Sequence, residues 1–178
     1  MNWSIRNKLI LIGFLSAIAL TGLQGISLYV NKQVNTSVGA SDLTNNKLAL
    51  VESMKRANLE LILAAMDSII DKDEGQIQPE RKAVIAESLK ALRENGRALA
   101  DLEDDDAARK SLADIMAKID PLAQGIQVDL SRLIEANAPV AEFAKIDDVI
   151  DTYGESMSEA LAKYGERLKV EFDQSIAH

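Results

Sequence analysis

The sequence predicts an all-α protein: an antiparallel, up-down-up-down four-helix bundle with an N-terminal transmembrane helix continuous with or adjoining helix one. Three observations point there. Ala, Leu, Ile, Glu, Asp and Lys carry the chain, while glycine and proline number only nine and three and aromatics make up 4%, the composition of long helices rather than sheets. Apolar residues recur at three-four spacing through four stretches. The stretches are joined by turns too short to do anything but reverse direction.

The first segment stands apart. Leu9 to Val30 holds twenty-two residues without a charge, and Gln24 is its one strongly polar side chain. At about 1.5 Å per residue it covers roughly 33 Å, enough for a hydrocarbon core of about 30 Å. Arg6 and Lys8 precede it, and Trp3 and Tyr29 flank it where aromatic belts form. The positive-inside rule therefore places residues 1–8 in the cytoplasm, 9–30 across a bacterial inner membrane, and 31–178 outside as the main domain. Ala17-Ile18-Ala19 has the small-x-small form of a signal-peptide cleavage site. The apolar run continues eleven residues beyond it, which favours an uncleaved anchor. A buried core helix is excluded because no equally apolar segments exist to surround it.

Helix one runs from Asp42 to about Asp71, with apolar seams at Leu50, Met54, Ala57, Leu61, Ala64 and at Leu48, Val51, Leu59, Ile62, Met66, Ile69. So wide an arc requires partners on two sides, which predicts a parallel homodimer through helix one, with Met54 and Leu61 at the interface. Gly75 closes the turn and Pro79 opens helix two, which extends to Glu103 along Ile85, Leu89, Leu92, Gly96, Leu99 and Leu102. Asp104–Asp106 caps helix three, whose stripe is Leu112, Ile115, Ile119, Leu122, Ile126, Leu130 and Leu133. Pro121 should break it near Ile119–Asp120. Asn137-Ala138-Pro139 ends it. Helix four begins near Val140 on Phe143, Ile146, Ile150, Tyr153, Met157, Leu161, Tyr164, Leu168 and Phe172. No stop signal precedes His178, so the expected continuation is helical and leads to a second transmembrane helix.

The residue inventory excludes several chemistries. There is no cysteine, and the one histidine is His178, so thiolate metal sites, a two-imidazole site and a Ser-His-Asp relay are ruled out. Haem ligation lacks its attachment motif. With no activated nucleophile, metal set or phosphate loop, no enzyme and no cofactor are predicted. The net charge is −8, and the chain beyond residue 30 holds 18 basic against 28 acidic residues, which repels nucleic acid. The run Asp104–Asp106 reads as a helix cap rather than a cation site, and Asp71-x-Asp73-x-Gly75 lacks the spacing of an EF-hand loop.

The basic tip, single span and returning bundle, with Lys55-Arg56-Ala57-Asn58-Leu59 through Ala64-Ala65-Met66-Asp67-Ser68, resemble the N-terminal half of methyl-accepting chemotaxis proteins. The turn Asp71-Lys72-Asp73-Glu74-Gly75-Gln76-Ile77, Phe143-Ala144-Lys145, and Met157 to Tyr164 are similar to the same family. Similar bundles front sensor histidine kinases and cyclases. The resemblance implies a signalling input domain in which a ligand outside the membrane shifts helix four. Its implied partners are a second copy, a small anionic molecule or a binding protein, and a chemotaxis kinase and adaptor reached through a cytoplasmic part. Arg56-Ala57-Asn58-Leu59 matches the Arg-x-Asn-Leu setting in which family members hold a ligand carboxylate. The expected ligand-binding residues are Lys55, Arg56 and Asn58 in that setting, with Phe143, Lys145 and Thr152 at the start of helix four expected across the groove from them. The family's later arginines are missing from Glu60–Ala65, which argues against the same amino-acid ligand. A solvated surface arginine and a non-sensing, membrane-tethered bundle are the plainer alternatives.

Overall fold

The computed structural model describes residues 42–176, with side chains through Gln174. The proposed membrane span and cytoplasmic tip lie outside these residues. Among the described residues no helix is long and apolar enough to cross a membrane. Helix α1 spans 42–70, and a 3-10 turn at Lys72–Glu74 ends on Gly75, whose φ of 73° is left-handed backbone that glycine adopts without cost. Helix α2 is Pro79–Asp101, with Pro79 in the first turn, where a missing N–H costs nothing. The third leg is composite: α3 Asp106–Met116, α4 Ile119–Gln124, a π-helical turn Gly125–Leu130 and α5 Ser131–Glu135. Helix α6, Val140–Ile176, is 37 residues long. Four antiparallel legs enclose one core, as the stripes require.

The core follows the predicted stripes except for the second seam of helix one, of which Val51 is buried, Leu48, Ile62, Met66 and Ile69 are half-buried and Leu59 is exposed. Met54 and Leu61 of α1, Leu92 and Leu99 of α2, and Ile150 and Leu161 of α6 are all buried. Burying a side chain of this size contributes about 1.5–3 kcal/mol, so these layers set the register of the legs. Helix α2 stops two residues short of the predicted Glu103: Leu102 and Glu103 turn back with N–H bonds to Leu99 and Ala100. The Asp105 carboxylate then accepts from the Ala108 N–H at 2.8 Å, capping α3.

The break near Pro121 falls at Ala117–Lys118 rather than Ile119–Asp120. A proline disrupts the carbonyl four residues back, here that of Ala117. Lys118 tightens onto the Ile115 carbonyl instead. Pro121 itself sits inside the first turn of α4, where its lost donor is one of the orphans. The π turn was not anticipated, and it changes which residue reaches the core: Ile134 is buried and Leu133 is only partly so. The leg ends on a Schellman arrangement. Asn137 takes φ 46°, the Ala138 N–H donates to the Leu133 carbonyl, and the Asn137 N–H donates to that of Ile134.

Candidate functional site

The six residues predicted for ligand binding do not converge. Asn58 is fully buried between α1 and α6, where its Nδ2 donates to the Gly154 carbonyl at 2.9 Å and to Ser158 Oγ at 2.8 Å. Its Oδ1 has no hydrogen-bond partner among the described residues. Lys55 pairs with Glu52 at 2.8 Å. Arg56 is exposed on the opposite side of α1 from Asn58's contacts. Phe143 is buried under the ammonium of Lys72, 5.9 Å from the ring centroid. Lys72 lies sixteen residues beyond Arg56, roughly 24 Å along a helix. Arg56 and Phe143 therefore sit at different heights of the bundle. Lys145 pairs with Glu142 at 2.7 Å and Thr152 bonds its own helix at the Asp148 carbonyl.

A polar cluster that the sequence reading missed lies at the end of the bundle where α1 begins and α6 finishes. Glu103 is buried, and its Oε2 accepts from the Lys47 ammonium at 3.0 Å. Its Oε1 accepts from the Tyr164 hydroxyl and, at 3.3 Å, from the Arg167 guanidinium. Arg167 also stacks on the Tyr164 ring at 4.7 Å and reaches Asp105 and Glu171. Burial, followed by the Glu103 carboxylate, pushes the Tyr164 phenol well above its ordinary pKa. The signal was present: Gly96, Leu99 and Glu103 continue a three-four seam, as do Lys47, Val51 and Met54. Two opposite charges on core seams at one level announce a buried pair.

Two clefts open at the other end. One, of about 260 Å³, lies between Asp129, Arg132 and Leu133 on one side and Glu142, Lys145 and Val149 of α6 on the other. Its charges are already matched, Arg132 with Asp129 at 3.0 Å and Lys145 with Glu142. The other, of about 230 Å³, is lined by Ile77, Lys82, Ile85, Gln127 and Ser131, between the start of α2 and the π turn. Among the described residues, no cluster of histidine, aspartate or glutamate is arranged to hold a metal ion.

No protein-family model matches the sequence, and none of the curated proteins compared matches it either. In structure the chain is similar to a periplasmic sensor domain of a sensor histidine kinase, with a TM-score of 0.66 at 15% identity, covering 79% of this chain and 92% of that one. At that identity the likeness is one of fold.

Proposed function

We propose that this chain is the extracytoplasmic sensing input of a bacterial membrane receptor, anchored in the inner membrane by residues 9–30, and that it acts as a homodimer without catalysis of its own. The observation that carries the reading is α6. It is one uninterrupted helix whose start lines the cleft at Glu142, Lys145 and Val149 and whose last third carries Tyr164 and Arg167 of the Glu103 cluster. A rod of this kind conveys a displacement at one end to the other, because a packed helix shifts by small steps without leaving its grooves. The narrower reading, on the sequence resemblance, is the input of a chemotaxis transducer that controls a kinase through an adaptor. The fold likeness to a kinase sensor domain supports the second reading, the input of a membrane histidine kinase. An anionic ligand on the Arg56 face remains part of the first.

One hybrid-receptor experiment tests the proposal. The chain is joined ahead of the transmembrane and cytoplasmic parts of a chemotaxis transducer, and kinase output is followed across a panel of small anions. Exposed Glu159, changed to cysteine in this cysteine-free chain, is labelled in whole cells with a membrane-impermeant reagent. The expected result is labelling in intact cells and a change in output with at least one compound. Labelling only after lysis, or constant output, overturns the sensing role.

A further inference from the structure

We infer that the cleft between the start of α2 and the π turn is a binding site for a small aliphatic monocarboxylate. The inference rests on the sensing role proposed above and names a site and ligand class for it.

The floor of the cleft is apolar, made by Ile77 and Ile85, each at most 3% exposed. Its polar lining is Lys82, Gln127 and Ser131. Ligand sites are built in this way, from an apolar body with a few polar groups that fix orientation. The chemistry of the lining selects the ligand. Lys82 supplies the only charge of the lining, and among the described residues no carboxylate pairs with it. Its neighbour Arg81 is already committed to Asp71. A lysine acts as a compact point charge and suits a single anionic group, and the Gln127 amide and Ser131 hydroxyl add donors for a second oxygen. With no second cation among the described lining residues there is nothing to neutralise a dicarboxylate or a phosphate. The isoleucine floor calls for a hydrocarbon tail. A cavity of about 230 Å³ holds on the order of eight waters at liquid density, so a ligand of six to eight heavy atoms fills it. Butanoate through hexanoate fall in that range. With one exposed lysine and a small tail, the dissociation constant should be on the order of 1 mM.

The position explains why binding here is felt elsewhere. Gln127 belongs to the π turn, and the opposite side of the same turn packs on α6. A Cβ placed on Gly125 would touch Ile146 at 3.5 Å and Val149 at 3.8 Å. One turn of backbone thus has the ligand on one side and the long helix on the other. π turns hold an extra residue relative to an α-helix and recur at functional sites. A ligand that prefers one winding of this turn shifts α6 by its differential affinity and by no more.

The test uses the full 178-residue chain in detergent micelles, with isoleucine methyl groups labelled for NMR and titrated with butanoate and hexanoate. The expected result is a saturable shift of the Ile77 and Ile85 methyls. It should be absent with butanol and butylamine and weakened at least tenfold in Lys82→Gln, the loss of one charge-assisted contact. Ser131→Leu, which fills the cleft from its rim, should abolish it. Lys145→Gln in the second cleft should leave it unchanged. No saturable shift, an equal response to butanol, or full affinity in Lys82→Gln overturns the site. If the hybrid receptor still answers another compound, that failure leaves the sensing role standing. Binding without any hybrid response overturns the sensing role and keeps the site.

Discussion

Glu103 shows how much one residue can hold. Its side chain is 3% exposed and that of Lys47 is 10% exposed, so removing the carboxylate leaves an ammonium stranded out of water. Breaking one partner of a buried pair costs about 3–5 kcal/mol. The Tyr164 hydroxyl makes one bond to a charged acceptor, worth about 1.5–3 kcal/mol. Arg167 is a third exposed, so solvent screens its pairs with Glu103, Asp105 and Glu171 to about 1 kcal/mol. Chemical denaturation should therefore rank the losses Glu103→Ala, then Tyr164→Phe, then Arg167→Gln. An equal loss for Glu103→Ala and Arg167→Gln would sink the account. A pH dependence follows from the raised Tyr164 pKa. Above pH ~10 the unfolded tyrosine releases its proton while the folded one keeps it. The unfolded state then binds fewer protons, and stability falls with rising pH. The contribution is whole below pH ~10 and is lost progressively above it. Tyr164→Phe should flatten that alkaline decline; an unchanged slope would place its cause in other groups.

At the scale of the elements, helices α1 and α6 pack tightly at Gly154. A Cβ there would meet Ile62 Cγ1 at 2.8 Å and Cδ1 at 2.5 Å. Gly154→Ala gains about 1 kcal/mol of helix propensity but overpacks the contact at about 1–3 kcal/mol, so a net loss is expected. Ile62→Ala, which removes both atoms, should show favourable coupling with Gly154→Ala in a double-mutant cycle. At Gly96 the added Cβ meets the thioether of Met116, a flexible chain that can swing aside, so Gly96→Ala should be neutral or stabilising. If the two substitutions behave alike, propensity rather than packing governs both. The four legs and their stripes were legible because three-four spacing maps directly onto a buried face. The π turn was legible only in part. Leu122, Ile126, Leu130 and Ile134 step by four three times over, wider than the 3.6 of an α-helix, whereas the predicted stripe takes Leu133 in place of Ile134. The predicted ligand residues joined a local match at Arg56-Ala57-Asn58-Leu59 to an expected neighbourhood at the start of helix four. A local match cannot say that Asn58 turns inward to Gly154 while Arg56 turns outward, or that Phe143 stands four turns away.

For the whole molecule, assembly turns on which face of α1 is left over. The sequence reading put Met54 and Leu61 at a dimer interface, but both are completely buried in their own bundle. The face that remains carries Leu59, Leu63 and Ile70, exposed by 57%, 51% and 70%. With Arg56 and the half-buried Met66 they step 3, 4, 3, 4, the heptad spacing of a coiled-coil seam. In the proposed parallel homodimer this is the seam that would meet its own copy across a two-fold axis. The area is small: three side chains about half exposed offer roughly 300 Å² per copy, well short of the ~800 Å² of a stable interface. The membrane anchor proposed above would supply what the area lacks, because confinement raises the effective concentration of the second copy. Single cysteines at Leu59 or Leu63 should then cross-link between copies in membranes, and the yield should fall when detergent dilutes them apart. Cysteines at Met54 or Leu61 should stay unlinked in both settings, since reaching them means opening the core. Linking at Met54 in membranes, with Leu59 and Leu63 silent, would show that the bundle opens to dimerise and that the exposed seam serves another partner.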